Sequence, residues 1–146
     1  MTAQDDGQEH RIVAGVDGSA SSKAALAWAV RQAGLTGATV DAVTAWDFPV
    51  VFPAPWPPQM GGDWKELARR VVTEAVDEVS GSASQVEIRP RIEEGNAAQV
   101  LVDASDGADL LVVGSRGHGG FVEALLGSVS QHCAHHAGCP VVVIRD

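Results

Sequence analysis

The stretch from residue 114 to residue 130 carries the residue types and spacing from which chemistry can be expected. It reads GSRGHGGFVEALLGSVS and holds the pattern G-x2-G-x9-G-S at Gly114, Gly117, Gly127 and Ser128. Glycines let backbone N–H groups approach phosphate oxygens with no side chain between them. A helix that starts after the last glycine would add unpaired N–H groups and a partial positive charge. The pattern therefore predicts a phosphate site.

Side chains of the same stretch could supplement the main chain. Ser128 and Ser130 can donate hydroxyl groups to phosphate or offer oxygens to a metal ion, and Arg116 and His118 could supply positive charge. Two commoner phosphate motifs fail here. The loop has no lysine for G-x4-G-K-[ST], and Val122 stands where the third glycine of G-x-G-x-x-G would be. On spacing alone, an ordinary strand–helix connection with a serine N-cap remains open.

A second group of candidate ligands lies near the C-terminus. It comprises His132, Cys133, His135, His136 and Cys139. His132 and His136 would share one helix face at i,i+4, as zinc ligands can. Histidines also suit the last turn of a helix, where the dipole favours positive charge. We expect this second reading, and hence no metal site.

Aromatic residues surround a proline-rich segment at residues 47–63. That segment holds five of the seven prolines and is predicted to be a loop, because proline fixes φ and removes a donor. The aromatic residues are Trp46, Phe48, Phe52, Trp56 and Trp64. They could form a lid over a ligand or a partner surface, with a polyproline-like piece at 55–58. We expect them mainly to pack the loop onto the body of the protein.

Alternating strands and helices must position these groups. Short apolar runs without helical period predict strands at 11–17, 39–46, 84–92, 109–113 and 140–144. Helices are predicted from the capping run at 18–22 to about residue 33, at 64–79, from the cap Asn96 to about 105, and at 128–137. In the second helix the predicted inward residues are Leu67, Val71, Val72, Ala75, Val76 and Val79, and in the third they are Val100 and Leu101.

This order predicts an α/β fold with a parallel sheet covered by helices on both faces. In such sheets, ligands bind beyond the carboxyl ends of the strands, where the strand order reverses. The rule indicates three places, which follow Asp17, Ala45 and Val113. Asp17 could also be an ordinary turn or cap residue before the first helix.

Composition and charge limit the classes of function. A chain of 146 residues with 45% hydrophobic residues is enough for one domain, and its net charge is −9. Such an acidic chain repels polyanions, so we expect no nucleic-acid partner and no membrane partner. Residues 1–9 are expected to be a disordered tail without the features of a signal peptide. Two cysteines are too few for a disulfide framework, and a cytoplasmic location is expected.

These motifs and segments resemble those of the universal stress protein family, in its ATP-binding branch. The G-x2-G-x9-G-[ST] motif matches at residues 114–128. Four further segments are also similar to the family: IVAGVDGSASSKAALAWAV, VDAVTAW, EEGNAAQVLVDAS and LLGSVSQHCAHHAGCPVVVIRD. The resemblance runs from Arg11 to the C-terminus, apart from the proline-rich loop, and implies one family domain over residues 10–146.

The resemblance implies a five-stranded Rossmann-like sheet in the order 3-2-1-4-5 and a role for each matched position. Asp17 would meet the nucleoside near ribose, Gly15 and Val16 would line the base, and Ala45 would hold adenine through its backbone. Phosphates would be held by Gly114, Gly117, Gly127, Ser128 and Ser130, flanked by Val113, Arg116 and Val129. The ligand would be ATP, with or without Mg²⁺. The strand Val141–Ile144 would pair with its copy in a homodimer.

The function expected from this resemblance is a nucleotide-dependent regulatory or stress-response protein that acts as a dimer. A slow ATPase and an ATP-independent interaction module remain alternatives. The loop lacks a lysine for the γ-phosphate and no general base can be assigned, so we do not expect an enzyme. A phosphoryl-accepting receiver domain is disfavoured, because the third strand ends in Glu93-Glu94 and the last in Arg145-Asp146.

Overall fold

The computed structural model describes residues 9–46, 64–81, 85–115 and 127–145. Residues 1–8 of the predicted tail, the proline-rich loop at 47–63, and Arg116, Gly117 and His118 therefore lie outside the described residues. In chain order the elements are β1 (Arg11–Gly15), α1 (Ala20–Thr36), β2 (Thr39–Trp46), α2 (Trp64–Ser80), β3 (Ile88–Glu94), α3 (Ala97–Ala104), β4 (Leu110–Gly114), α4 (Ser128–His136) and β5 (Val141–Ile144).

The five strands form one parallel sheet in the order β3-β2-β1-β4-β5. The predicted fold class and strand order are therefore confirmed. The β1–β2 ladder runs from Arg11 opposite Thr39 to Gly15 opposite Val43. Because all strands are parallel, their carboxyl ends lie along one edge of the sheet, which also holds the starts of the following helices.

Helices cover both faces of the sheet, and each face has its own apolar core. α1 packs on β1 and β4 and α2 on β2 and β3, over a cluster that includes Ile12, Leu26 and Val72. On the opposite face, α3 packs against α4 and contacts β1 and β2, over a cluster that includes Val13 and Leu111. Successive residues of β1 thus enter different cores, as the period of two in a strand requires.

Local capping residues set the ends of α1 and α3. Ser19 precedes α1, and its side chain accepts a hydrogen bond from the Ser22 amide. Gly37 ends this helix in the left-handed region, with φ of 82°, and its amide donates to the Ala33 carbonyl. Asn96 caps α3 by accepting from the Gln99 amide, as predicted from the sequence.

The apolar face of α1 was predicted to reach about residue 33, with the helix end bracketed by Gly34 and Gly37; the helix ends at Thr36, and Gly37 is its left-handed cap. Two other expectations about the elements were wrong in detail. β3 spans Ile88–Glu94 instead of 84–92; its Pro90 is tolerated because β3 is an edge strand. Leu67, predicted to face inward, is 47% exposed.

A buried carboxylate links the first three strands on the α3 side of the sheet. Asp41 in β2 is 3% exposed and accepts hydrogen bonds from Arg11 of β1 at 3.5 Å and from Arg89 and Arg91 of β3 at 2.9 and 3.4 Å. Its hydrogen bond from Arg89 is the main cause that raises the pKa of that guanidinium. The cluster ties β3, which lies at the edge, to the centre of the sheet.

None of the helices in the described ranges has the length and apolar content needed to cross a bilayer.

Candidate functional site

The central feature of the candidate site is the crevice where β1 ends between β2 and β4. The chain leaves β1 towards α1 and β2, whereas β4 and β5 lie on the other side of β1. This is the topological switch point that the sequence predicted as the ligand position. The last hydrogen bond between β1 and β2 runs from the Val16 amide to the Val43 carbonyl, at 2.9 Å.

Ala45 presents its main chain to this crevice. In a parallel strand, successive residues direct both their N–H and C=O groups to alternate neighbours. The Thr39 amide and the Val43 carbonyl bond towards β1, whereas the Trp46 carbonyl accepts from Gly95 on the β3 side. Ala45 therefore faces the β1 side, beyond the point where β1 has ended. Its amide and carbonyl can serve as one donor and one acceptor for a planar heterocycle.

Asp17 lies next to this position, at the carboxyl end of β1, and it is exposed. Its Oδ1 accepts hydrogen bonds from the Ser19 amide at 2.8 Å and from the Ser19 hydroxyl at 2.5 Å. Gly18, with φ of 88°, makes the turn that allows these bonds. In the part of the chain that the structure describes, Oδ2 makes no hydrogen bond, so it can accept from ligand hydroxyl groups.

Two further hydroxyl groups, which the sequence alone did not indicate for this role, fix the backbone around Asp17. Buried Thr44 donates through Oγ1 to the Val16 carbonyl at 2.8 Å. The Ser22 hydroxyl accepts from the Asp17 amide at 3.2 Å. The available signal was weak, since a threonine in a strand and a serine in a capping run are both ordinary.

The start of α4 offers main-chain donors at the β4 side of the crevice. Gly127 is its N-cap and, unlike Ser19 and Asn96 at α1 and α3, makes no side-chain cap hydrogen bond within the described residues. The first intrahelical bond runs from the Gln131 amide to the Gly127 carbonyl, at 2.9 Å. The amides of the first three helical residues, 128–130, therefore have no acceptor inside the helix. Such a helix start attracts anions.

A single carbonyl group joins the end of β4 to the start of α4. The Ser115 carbonyl accepts from the Gly127 amide at 2.6 Å and lies 3.3 Å from the Ser130 hydroxyl oxygen. The Ser115 amide donates to the Ile144 carbonyl of β5 at 2.8 Å. These bonds bring Gly114 and Gly127 together, although 12 residues separate them in the sequence.

Several predicted site residues are engaged in the protein itself. Val16 and Val113 are each 3% exposed and belong to the two cores. A side chain at Gly15 would put Cβ 2.8 Å from Leu101, and one at Gly114 would put Cβ 2.7 Å from the carbonyl carbon of Ser21. Packing of α3 and α1 thus accounts for these two glycines.

The predicted residues that do reach the crevice are Asp17, Ala45, Gly127, Ser128 and Val129. Ser128 is exposed, and Val129 is partly buried at the same helix start. Ser130 is 2% exposed and its hydroxyl bonds to backbone carbonyls. Arg116 and Gly117 lie outside the described residues, so their predicted contacts stay predictions, as does nucleotide contact by every residue named here.

The histidines and cysteines of α4 and its C-terminal end contain no metal centre in the described ranges. Within those ranges no three His, Cys, Asp or Glu side chains are placed to hold a metal ion. The His132 and His136 rings are in contact, with centroids 4.4 Å apart and planes tilted by 36°. Cys133 is fully buried, and burial raises the pKa of its thiol to about 11. It behaves as a small apolar core residue.

Comparison with known sequences bears on this site. The profile of the Universal stress protein family matches residues 9–145. A universal stress protein of Mycolicibacterium smegmatis is 38% identical over 147 residues, which cover 94% of this chain and 48% of the relative. The chain therefore spans about half the length of the curated relatives it matches.

Solved structures share the same fold. A universal stress protein in complex with cAMP aligns with a TM-score of 0.71 at 28% identity, covering 94% of this chain and 98% of that chain. A universal stress protein of Archaeoglobus fulgidus in complex with dAMP aligns with a TM-score of 0.69 at 21% identity, covering 93% and 97% of the two chains. At that lower identity the likeness concerns the fold alone. The family profile and the identity to the M. smegmatis protein together show that this chain belongs to the universal stress protein family.

Proposed function

We propose that this protein binds ATP in the crevice at the end of β1 and acts as a nucleotide-dependent regulatory protein. The adenine contacts the Ala45 main chain, the ribose hydroxyl groups contact Asp17, and the phosphates lie at the start of α4 over Gly127 and Ser128. Mg²⁺ can accompany the phosphates, and the exposed Ser128 hydroxyl would then supply an oxygen ligand.

The observation that carries this proposal is the start of α4, whose first amides have no side-chain cap among the described residues. Its first amides lie at the edge of the sheet that also holds an exposed carboxylate and the main chain of a strand whose neighbour has ended. The partial positive charge of the helix start and the negative charge of Asp17 fix the orientation of the nucleotide, because its phosphates are attracted to the first and repelled by the second. The solved family member with cAMP, at 28% identity, supports an adenine nucleotide as the ligand class.

Regulation is favoured over fast catalysis by the groups that line the crevice. Its described polar side chains are small hydroxyl residues and Asp17, which the proposal places at the ribose, away from the phosphates. A neutral hydroxyl group is a very weak base, and its pKa is too high for it to ionise near neutral pH without an activating neighbour. The alternative is a slow ATPase in which Mg²⁺ and water act without a side-chain base.

The second part of the proposal is a homodimer through the free edge of β5. All four residues of Val141–Ile144 are apolar and partly exposed, and within the described residues this strand pairs with β4 alone. An apolar edge of this kind is normally covered or paired. A second copy of the chain can add its own β5 antiparallel to it. The proposed location of the dimer is the cytoplasm.

The register of β5 supplies a variant that tests the dimer. The carbonyls of Pro140 and Ile144 accept hydrogen bonds from β4, so Val142 also faces β4 and Val143 faces outward. Val143→Pro removes an outward donor and leaves the β4 ladder intact. We expect a dimeric mass for the wild type and a monomeric mass for this variant in light scattering at micromolar concentration. A monomeric wild type would exclude the homodimer.

The nucleotide site is tested by paired substitutions at Ser128. Proline is well accepted at the first position of a helix, and Gly127 before it has extended φ and ψ, so Ser128→Pro removes one amide donor with little strain. Ser128→Ala removes only the hydroxyl. A hydrogen bond to a charged group is worth about 1.5–3 kcal/mol, so proline should weaken ATP binding roughly 10- to 150-fold, more than alanine does.

Calorimetric titration with ATP, with phosphate release measured on the same sample, distinguishes the alternatives. Binding without turnover supports the regulatory protein, and steady turnover that is lost in Gly127→Val supports the slow ATPase. If the wild type does not bind ATP at millimolar concentration, the chain is an interaction module and the proposal is wrong.

A further inference from the structure

Ser130 is a residue of the nucleotide motif whose hydroxyl turns away from solvent. It is 2% exposed and stands in the first turn of α4. Its Oγ lies 3.0 Å from the Gly127 carbonyl oxygen and 3.3 Å from the Ser115 carbonyl oxygen. A hydroxyl group has one proton, and here that proton is shared between two carbonyl acceptors. Because ionised phosphate only accepts hydrogen bonds, this hydroxyl has nothing left to donate to it.

We propose that Ser130 is a positioning residue, which fixes the start of α4 relative to the end of β4 without contacting the nucleotide. This inference rests on the proposed ATP site. The Ser115 carbonyl is held from β5 through the Ser115 amide and the Ile144 carbonyl, and it receives the Gly127 amide at 2.6 Å. The Ser130 hydroxyl is a second donor to the same junction. It thereby sets the direction in which the Ser128 and Val129 amides point.

The hydroxyl also has an electrostatic effect on the site. Carbonyl oxygens carry partial negative charge, and those of Ser115 and Gly127 lie next to the amides that would meet phosphate. A donor that bonds to both oxygens offsets part of their repulsion of an anion. Removing it should therefore weaken the binding of phosphates and leave the binding of an uncharged nucleoside unchanged.

The fold should survive the loss of this hydroxyl, because neither carbonyl would be left without a donor. Ser115 keeps the Gly127 amide, and the Gly127 carbonyl keeps the Gln131 amide at 2.9 Å. Ser105 offers a matched control at the end of α3. It is fully buried, and its Oγ donates to the Val102 carbonyl three residues earlier, at 2.7 Å. Ser105→Ala thus removes the same type of bond at a place remote from the crevice.

The experiment compares the wild type with Ser130→Ala, Ser130→Thr and Ser105→Ala. Affinities for ATP and for adenosine are measured by calorimetry, together with unfolding in urea and amide hydrogen exchange of the nucleotide-free protein. We expect Ser130→Ala to bind ATP about fivefold more weakly, from the loss of one hydrogen bond, with adenosine affinity unchanged. Threonine, whose hydroxyl can also reach a carbonyl three residues earlier, should restore part of the ATP affinity.

Hydrogen exchange separates positioning from direct contact. Positioning requires the Gly127 amide to exchange faster in nucleotide-free Ser130→Ala than in the wild type, whereas a direct phosphate contact leaves it unchanged. The proposal is overturned if exchange is unchanged, if ATP affinity is unchanged, or if ATP and adenosine are weakened alike. An equal loss of ATP affinity in Ser105→Ala would also overturn it. Failure of the wild type to bind ATP would instead reject the proposed function.

Discussion

Replacement of Asp17 by alanine tests the orientation of the nucleotide most directly. Oδ1 already accepts two hydrogen bonds from Ser19, so one carboxylate oxygen remains for the ribose hydroxyl groups. A hydrogen bond with one charged partner contributes about 1.5–3 kcal/mol, which corresponds to a loss of roughly 10- to 150-fold in ATP affinity. α1 should still form, because the Ser19 side chain keeps its capping bond from the Ser22 amide at 3.3 Å.

The assay is a chemical double-mutant cycle that pairs Asp17→Ala with 2′,3′-dideoxy-ATP. If the carboxylate meets the ribose, the wild type should prefer ATP over the dideoxy analogue by about the factor lost in the variant. The variant should bind both nucleotides equally. Urea unfolding of the two proteins without nucleotide serves as the control for stability. A variant that keeps the preference for ATP would refute contact between Asp17 and the ribose.

Three further predictions concern the framework that holds the site. Gly114→Ala should lower the free energy of unfolding by about 1–3 kcal/mol, because the added Cβ would lie 2.7 Å from the backbone of α1. Gly81→Ala is the control, because a Cβ added there would lie in open space. Equal urea midpoints for Gly114→Ala and Gly81→Ala would contradict the prediction. Asp41→Asn should lower the free energy of unfolding by about 3 kcal/mol, because three arginines lose their buried charged partner. Glu93→Gln, at the half-exposed pair with Arg91, should change the free energy of unfolding by less than about 1 kcal/mol. Finally, the thiol of Cys133 has a folded pKa near 11, above its ordinary value of 9, so its contribution is present below pH 9 and is lost as the pH rises to 11. The difference in unfolding free energy between wild type and Cys133→Ala should therefore shrink between pH 9 and pH 11. If the unfolding free energies of the two proteins change in parallel with pH, burial does not raise the pKa of this thiol.

Much of the fold could be predicted because the sequence repeats simple signals. Apolar β-branched runs predicted β1, β2, β4 and β5, and the alternation of strands with helices predicted the parallel sheet. β3 was displaced in the prediction because the alternation of Val86 and Ile88 with polar residues was followed from residue 84, whereas the strand begins at Ile88 and continues through Glu93 and Glu94. The arginines within it, Arg89 and Arg91, were not expected to bond to a buried carboxylate. Their partner Asp41 lies 48 positions from Arg89 and 50 from Arg91 in the sequence, and no local sequence pattern indicates such a contact.

The site was predicted as a region more accurately than as a set of residues. The motif and the topology rule both indicated the crevice, because glycine spacing and strand order are visible in a sequence. The sequence did not show which residues of the motif are exposed and which are buried. Ser128 and Ser130 are the same residue type two positions apart, and only the turn of α4 makes one exposed and the other 2% exposed. The contribution of Ser115 is its main chain, which its side-chain type cannot reveal.

The two glycines nearest the strand ends change what the motif means physically. Gly114 lets the backbone of α1 come close to β4, and Gly15 makes room for Leu101 of α3. Both approaches bring helices against the carboxyl ends of the central strands, where the crevice forms. A glycine in this position can therefore be required for binding without touching the ligand. Substitution of Gly114 should weaken ATP binding in proportion to the displacement of α1, whereas substitution of Gly127 acts on the donors themselves. The nearest neighbour of the added Cβ would be the Ser21 hydroxyl, with the Ser21 backbone carbon at 2.7 Å. Ser21→Gly removes the side chain and leaves the backbone contact, so the double variant Gly114→Ala/Ser21→Gly should still bind ATP weakly. Full recovery of ATP binding in the double variant would show that the Ser21 side chain alone causes the clash.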